Sequence, residues 1–284
     1  MVTVKAYAKI NLALNVLNRR ENGYHDIDMI MLPLELHDII ELDTLPNGYE
    51  SYITSDDVSL PTDESNLSYK AFLKLRENFK IDKNYMIHIY KRIPISAGLG
   101  GGSADAAAVF NALLKMSKIK LGYQEMISIT KTIGGDVPFC IYNRPARCRG
   151  IGEELEFFTL KKRYYVLLIK PQEGVITAQA YNDFDKLEVK PELSDIDKLI
   201  KALEEDDEET IAKEMKNGLQ ESAIKLVPEI KNIIDILKKD GFEMVLMSGS
   251  GSTVFAMSKN KSAIEKESKK FDKRKYKIVL THTL

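Results

Sequence analysis

From Val2 to Val16 the even positions are apolar, with Val4, Ala6, Ala8, Ile10, Leu12 and Leu14 between them. Odd positions carry Thr3, Lys5, Tyr7, Lys9, Asn11 and Asn15. A period of two marks a strand with one buried face, because successive side chains point to opposite sides. Lys9 and Asn11 therefore share the face turned away from the core, and solvent on that face is the simplest expectation. A turn centred on Gly23 follows, then a second strand-like run over 27–42. Leu67, Ala71, Phe72, Leu75 and Phe79 recur at helical spacing, which predicts an amphipathic helix over 67–79. The pattern then predicts a strand over 85–93, an Ala-rich helix over 103–116, and a helix over 123–133 stopped by Gly134-Gly135.

A second region begins near Tyr164. It reads as a strand over 164–170, several helices, strands over 242–248 and 252–258, a helix over 261–271 and a strand over 276–282. With the helical middle collapsed, the order is βαββαβ, the ferredoxin-like order. The acidic run 204–209 falls between helices and reads as a solvated loop or helix end. The basic stretch 266–277 reads as an exposed helix face. The predicted class is α/β in the α+β sense, with two domains, 1–160 and 161–284.

Composition narrows the function. A length of 284 residues, 44% hydrophobic and 29% charged, describes a water-soluble globular chain. A formal charge of −1 lacks the basic footprint of a nucleic-acid binder. No apolar run approaches the roughly 20 residues of a membrane span, and no signal peptide pattern opens the chain. The expected location is the cytoplasm, with no membrane or nucleic-acid partner. The cysteines, Cys140 and Cys148, read as small residues in or beside an apolar strand.

The chemistry concentrates in Pro94-Ile95-Ser96-Ala97-Gly98-Leu99-Gly100-Gly101-Gly102-Ser103-Ala104. Glycines let backbone N–H groups approach a ligand with no Cβ in the way. The helix that follows adds unpaired donors and a partial positive charge. Together they form an anion cradle suited to a polyphosphate. Ser103 is placed to cap that helix, or to touch a phosphate or a metal. The run is not a Walker A loop, since no Gly-Lys-Ser/Thr closes it, and no acidic residue follows at the dinucleotide-fold distance. A plain glycine turn is the competing explanation.

Three further segments stand out: Ala8-Lys9-Ile10-Asn11-Leu12, Gly134-Gly135-Asp136-Val137-Pro138-Phe139, and Met247-Ser248-Gly249-Ser250-Gly251-Ser252-Thr253. The last also reads as a tight hairpin between strands. In this order and spacing they resemble the small-molecule kinases of galactose, homoserine, mevalonate and phosphomevalonate. Arg19-Arg20-Glu21-Asn22-Gly23-Tyr24-His25 resembles the branch that acts on a diphosphocytidyl methylerythritol in the non-mevalonate route to isoprenoids.

The resemblance implies ATP and Mg2+, with transfer of the γ-phosphate to the acceptor's 2-hydroxyl. It implies a two-domain fold and a monomer or homodimer acting on a small molecule. Asp136 matches the base and Lys9 its partner. Pro94, Ala97 and Gly98 through Ala104 match the phosphate loop, and Asn66, Leu67 and Lys91 match positions near the adenine. Asn11, Tyr24, His25, Thr177 and Tyr181 match the acceptor side, with Tyr24 and Tyr181 stacking on the cytosine. No residue is assigned to the metal. The alternatives are a kinase of the same superfamily acting on another small alcohol such as homoserine, and a nucleotide-binding regulator without catalysis.

Overall fold

The computed structural model describes all residues from Met1 to Leu284. Packing divides the chain into two compact units. One comprises Met1–Ala8, Leu36–Ile95 and Gly100–Asn143; the other comprises Lys9–Glu35, Ser96–Leu99 and Arg144–Leu284. Residues 9–35, 96–99 and 144–160, which precede the sequence boundary at 160, pack in the second unit. Two long strands, β1 (Val2–Arg19) and β2 (His25–Thr44), contribute residues to both. No helix is long and apolar enough to cross a membrane.

In the first unit, β3 (Tyr52–Ser55) precedes α1 (Leu67–Phe79) and β4 (Tyr85–Tyr90). Ile39 to Thr44 of β2 pair antiparallel with β4, and β3 adds parallel on its other side. Alternation along β4 buries Tyr85, Ile87 and Ile89. After the glycine run come α2 (Gly101–Met116), α3 (Tyr123–Thr130) and α4 (Val137–Tyr142). Ala104, Ala106, Ala107 and Ala112 of α2 are buried, and such short side chains let α1 and α4 pack close to its axis. The predicted helix over 103–116 thus begins earlier, at Gly101, and the one over 123–133 ends at Thr130 with a turn after it. Cys140 sits on a helix rather than in or beside a strand. Pro138 lies in the first turn of α4, where its missing N–H would have had no partner in any case.

In the second unit, β5 (Ala146–Gly150) pairs with Ile27 to Met31 of β2 and with β6 (Glu154–Phe157). The chain continues through β7 (Tyr165–Pro171), α5 (Thr177–Asp185), α6 (Ile196–Glu205), α7 (Glu208–Glu214), β8 (Lys216–Asn217), α8 (Gln220–Leu226) and α9 (Glu229–Lys239). It closes with β9 (Val245–Met247), β10 (Val254–Ser258), α10 (Lys261–Ser268) and β11 (Tyr276–His282). Strands β11, β7, β10 and β9 form an antiparallel sheet in that order. Helix α9, with Ile230, Ile233 and Leu237 buried, and α10 pack on it. This is the ferredoxin-like arrangement that the element order predicts.

The acidic run 204–209 is the end of α6, the link and the start of α7, with Asp207 capping α7 through Thr210. The basic stretch lies mostly beyond α10: Lys269, Lys270, Lys273 and Lys275 are exposed in the turn before β11.

Candidate active site

The first unit carries the helix end of the glycine run. Gly100 holds the N-cap position of α2 with φ 69°, a left-handed conformation that favours glycine. No side chain caps this helix. Ser103 is therefore not the N-cap that the sequence suggests; it lies inside the first turn, because the left-handed Gly100 starts the helix before it. A Cβ on Gly102 would meet only Leu67 Cδ1, at 3.7 Å, and one on Gly134 would approach Leu67 Cδ1 at 3.6 Å and Ser103 Oγ at 3.9 Å. Leu67, Gly102, Ser103 and the Gly134 turn are thus neighbours.

Asp136 follows that turn at the N-cap position of α4, yet its side chain makes no capping bond. Its carboxylate is half-buried.

Two other expected nucleotide residues have structural partners. Asn66 Oδ1 accepts from the Ser68 N–H at 2.8 Å and caps α1, while its Nδ2 donates to the Pro61 carbonyl at 2.6 Å. The Lys91 ammonium is buried between Asp38 Oδ2 and Asp105 Oδ2, the latter at 2.8 Å. Asp38 Oδ1 also accepts the backbone N–H groups of Arg92 and Ile93, the latter at 2.8 Å. The triad ties the chain just before the glycine run to the helix just after it. Burial opposes the Lys91 charge, but Asp105 and Asp38 outweigh it and raise its pKa. Burial pushes the Asp105 carboxyl up to about 8; Lys91 pulls it down and Asp38 adds to the rise. Asp105 Oδ1 has no hydrogen-bond partner, so an uncharged carboxyl costs less there than a carboxylate. Pro94 and Ala104 are buried beside these groups.

The second unit carries the turn end of the run. Here the carbonyls of Ala97, Gly98 and Leu99 are each bound by a protein donor. Ala97 O accepts from the Thr253 N–H at 3.4 Å, and Leu99 O from the Lys9 N–H at 3.0 Å. Gly98 O accepts from Ser248 Oγ at 2.9 Å and Lys9 Nζ at 3.1 Å. Oxygens that would repel an anion are thereby engaged by the protein. A Cβ on Gly98 would lie 2.1 Å from the Ser248 carbonyl, so only glycine permits the Ser248 hairpin to approach this closely. That hairpin is closed by the Gly251 N–H donating to Ser248 O at 2.9 Å. It is both a turn and a brace for the glycine run.

Lys9 is 3% exposed and Asn11 1%. The expected solvated face of β1 is thus buried from Ala8 to Val16, because tertiary packing covers both sides there. Lys9 Nζ donates to Asn11 Oδ1 at 2.6 Å as well as to Gly98 O. Asn11 thereby positions the ammonium, as their shared face predicts.

A third cluster, in the same unit, surrounds His25. Gly23, at φ 85°, turns the chain between β1 and β2, leaving Tyr24 exposed at the tip and His25 buried at the start of β2. Tyr181 stacks on the His25 ring, with centroids 5.0 Å apart and planes at 23°. Thr177 Oγ1 lies 2.8 Å from Ser250 Oγ. Asp185, outside the expected set, completes the cluster: its Oδ1 lies 2.7 Å from His25 Nε2 and its Oδ2 lies 3.2 Å from Arg19 Nη1. A signal existed: Thr177, Tyr181 and Asp185 recur every fourth residue, one face of α5. Asp38 and Asp105 gave no comparable signal, being far from Lys91 in sequence or hidden in an Ala-rich helix.

Residues 66–144 match the GHMP kinases N terminal domain and residues 199–278 the GHMP kinases C terminal domain. The 4-diphosphocytidyl-2-C-methyl-D-erythritol kinase of Clostridium acetobutylicum is 37% identical over 284 residues, covering all of both chains. That of Clostridium beijerinckii is 40% identical over 256 residues, covering 89% of this chain and 90% of the relative. A crystal structure of 4-(cytidine 5'-diphospho)-2C-methyl-D-erythritol kinase superposes with a TM-score of 0.80 at 28% identity, covering 99% of each chain. The protein belongs to the GHMP kinases and, within them, to the family of the 4-diphosphocytidyl-2-C-methyl-D-erythritol kinases.

Proposed function

We propose that this kinase transfers the γ-phosphate of ATP to the 2-hydroxyl of 4-diphosphocytidyl-2-C-methyl-D-erythritol. The observation that carries the nucleotide side is the glycine run: bound carbonyls from Ala97 to Leu99, then a helix start without a side-chain cap. These backbone N–H groups fit a polyphosphate. No group of three His, Cys, Asp or Glu is placed to hold a metal ion; Ser103, in the first turn of α2, is the residue that would hold Mg2+ together with a bound nucleotide. When bound, Mg2+ neutralises charge on the β- and γ-phosphate oxygens.

The acceptor hydroxyl is tertiary and a poor nucleophile. Asp136 accepts its proton as the bond to phosphorus forms. Lys9, held by Asn11 and the Gly98 carbonyl, supplies positive charge to the ionised carboxylate or the moving phosphoryl oxygens. Leu67 flanks the adenine, and Asn66 and Lys91 shape its surroundings through the α1 cap and the buried triad. Tyr24, His25, Thr177 and Tyr181 hold the cytidine end. Residues 1–160 carry nucleotide binding and catalysis, and 161–284 contribute to acceptor binding. The full-length similarity to relatives bearing this name supports the acceptor assignment over homoserine.

The test is ADP release with ATP, Mg2+ and the diphosphocytidyl acceptor, beside homoserine and mevalonate. Turnover confined to the first is expected. Turnover of homoserine or mevalonate in its place would move the acceptor assignment, and ATP binding without any turnover would favour a regulator.

A further inference from the structure

His25 lies in a cage that fixes more than its position. Its side chain is 4% exposed. Tyr181 covers one face, and the Phe184 ring stands edge-on at 6.2 Å and 90°. Phe184 is itself held from outside by the Lys190 ammonium, 4.4 Å from its centroid. These two rings flank the imidazole on adjacent sides.

One ring nitrogen is also spoken for. Nε2 lies 2.7 Å from Asp185 Oδ1. A carboxylate only accepts hydrogen bonds, so the hydrogen resides on Nε2. In the neutral ring, Nδ1 then holds a lone pair and is an acceptor. The far oxygen of Asp185 faces Arg19 Nη1 at 3.2 Å, an ion pair that holds the carboxylate in place. Arg19 closes β1, His25 opens β2 and Asp185 ends α5, so the relay joins three elements.

We propose that Asp185, held by Arg19, is a positioning residue that sets the His25 tautomer and so makes the pocket select cytosine over uracil. The inference rests on the cytidine assignment above. The two bases differ at position 4 of the ring: cytosine presents an amino donor, uracil a carbonyl acceptor. An Nδ1 lone pair matches the donor and opposes the acceptor. A mismatched pair leaves two acceptors facing each other at a buried ring, which costs more than a hydrogen bond merely absent. The opposite tautomer would invert the preference.

The experiment compares the cytidine acceptor with its uridine analogue in the wild-type enzyme and in Asp185→Asn and Asp185→Glu. An asparagine can donate or accept, so it no longer dictates where the ring hydrogen lies. For Asp185→Asn the cytidine-to-uridine ratio of kcat/KM should fall by about tenfold to a hundredfold, the range of one buried hydrogen bond lost or opposed. The change should lie in the acceptor KM, with kcat and the ATP KM nearly unchanged, and Asp185→Glu should restore part of the ratio. Nitrogen-15 shifts of His25 should show hydrogen on Nε2 in the wild type and a mixed tautomer in Asp185→Asn. Equal losses on both acceptors with an unchanged tautomer would make Asp185 a purely structural residue and overturn the proposal. A wild-type His25 carrying its hydrogen on Nδ1 would do the same. Failure of the wild type to turn over the cytidine acceptor would overturn the cytidine assignment itself, a result distinct from intact turnover with an unaltered ratio.

Discussion

At Asp136 the backbone begins a helix while the carboxylate stays out of the cap. An acid in that position ordinarily gains by accepting the first N–H groups of the helix. The proposed role as base therefore does not compete with helix capping. Asp136→Asn keeps the shape and removes the proton acceptor. Turnover should fall by about a hundredfold to ten-thousandfold, the usual contribution of general base catalysis, with ATP affinity unchanged. A variant with ordinary kcat in steady-state assays would remove Asp136 from the chemistry. Lys9 illustrates the complementary point. Its ammonium is buried but hydrogen-bonded to Asn11 and Gly98, so its charge is held by polar atoms rather than by solvent.

At the scale of elements, the glycine run is a loop held from both ends. Gly98→Ala would incur the left-handed backbone penalty at φ 72° and drive a Cβ to within 2.1 Å of the Ser248 carbonyl. Gly241 has φ 89° with nothing within 4 Å, so Gly241→Ala incurs the backbone penalty alone, about 1–2 kcal/mol. Calorimetry should therefore show nucleotide binding lost in the first variant and retained in the second. Equal affinities would mean that the Ser248 brace does not shape the loop.

The other end is held by Lys91, Asp38 and Asp105, and it carries a pH dependence. The Asp105 pKa is raised in the folded state, to about 8, from an ordinary value near 3.8. Between those values the native state holds a proton that the unfolded state has released. The group's favourable contribution is therefore full at low pH and is lost as pH rises through this window, by up to about 1.4 kcal/mol per unit. Asp105→Asn abolishes the titration. Urea unfolding at pH 5.5 and 7.5, values chosen inside the window, should show the variant gaining on the wild type as pH rises. A stability difference independent of pH would refute the assignment of the proton to Asp105.

For the whole molecule, the two compact units share their longest strands: β1 and β2 each contribute residues to both. Unfolding one unit would free part of each strand, so the chain is expected to unfold in one transition. Phe72 in the first unit and Phe255 in the second are both 0% exposed. Truncating either to alanine should cost about 3–5 kcal/mol and lower the same single calorimetric peak. Two peaks that respond separately to the two variants would show units that unfold independently.

The sequence by itself determined the elements whose pattern is local. The alternation of β1, the amphipathic α1, the βαββαβ order and the glycine run are legible because each repeats or punctuates the chain within a short span. It also drew together the residue types of the site, since the three motif segments keep their chemistry wherever the chain takes them. It could not say that the polar face of β1 is buried, because burial depends on what packs against the strand. Nor could it show that the N-cap of α2 is Gly100 rather than Ser103, which follows from a left-handed residue that the glycines permit but do not demand. The partners of Lys91 and of His25 lie 53, 14 and 160 residues away, separations that only the tertiary fold closes. Chain pattern decides which chemistry is present; long-range packing decides which charges are neutralised, which ring nitrogen bears a hydrogen and which backbone atoms remain for a ligand.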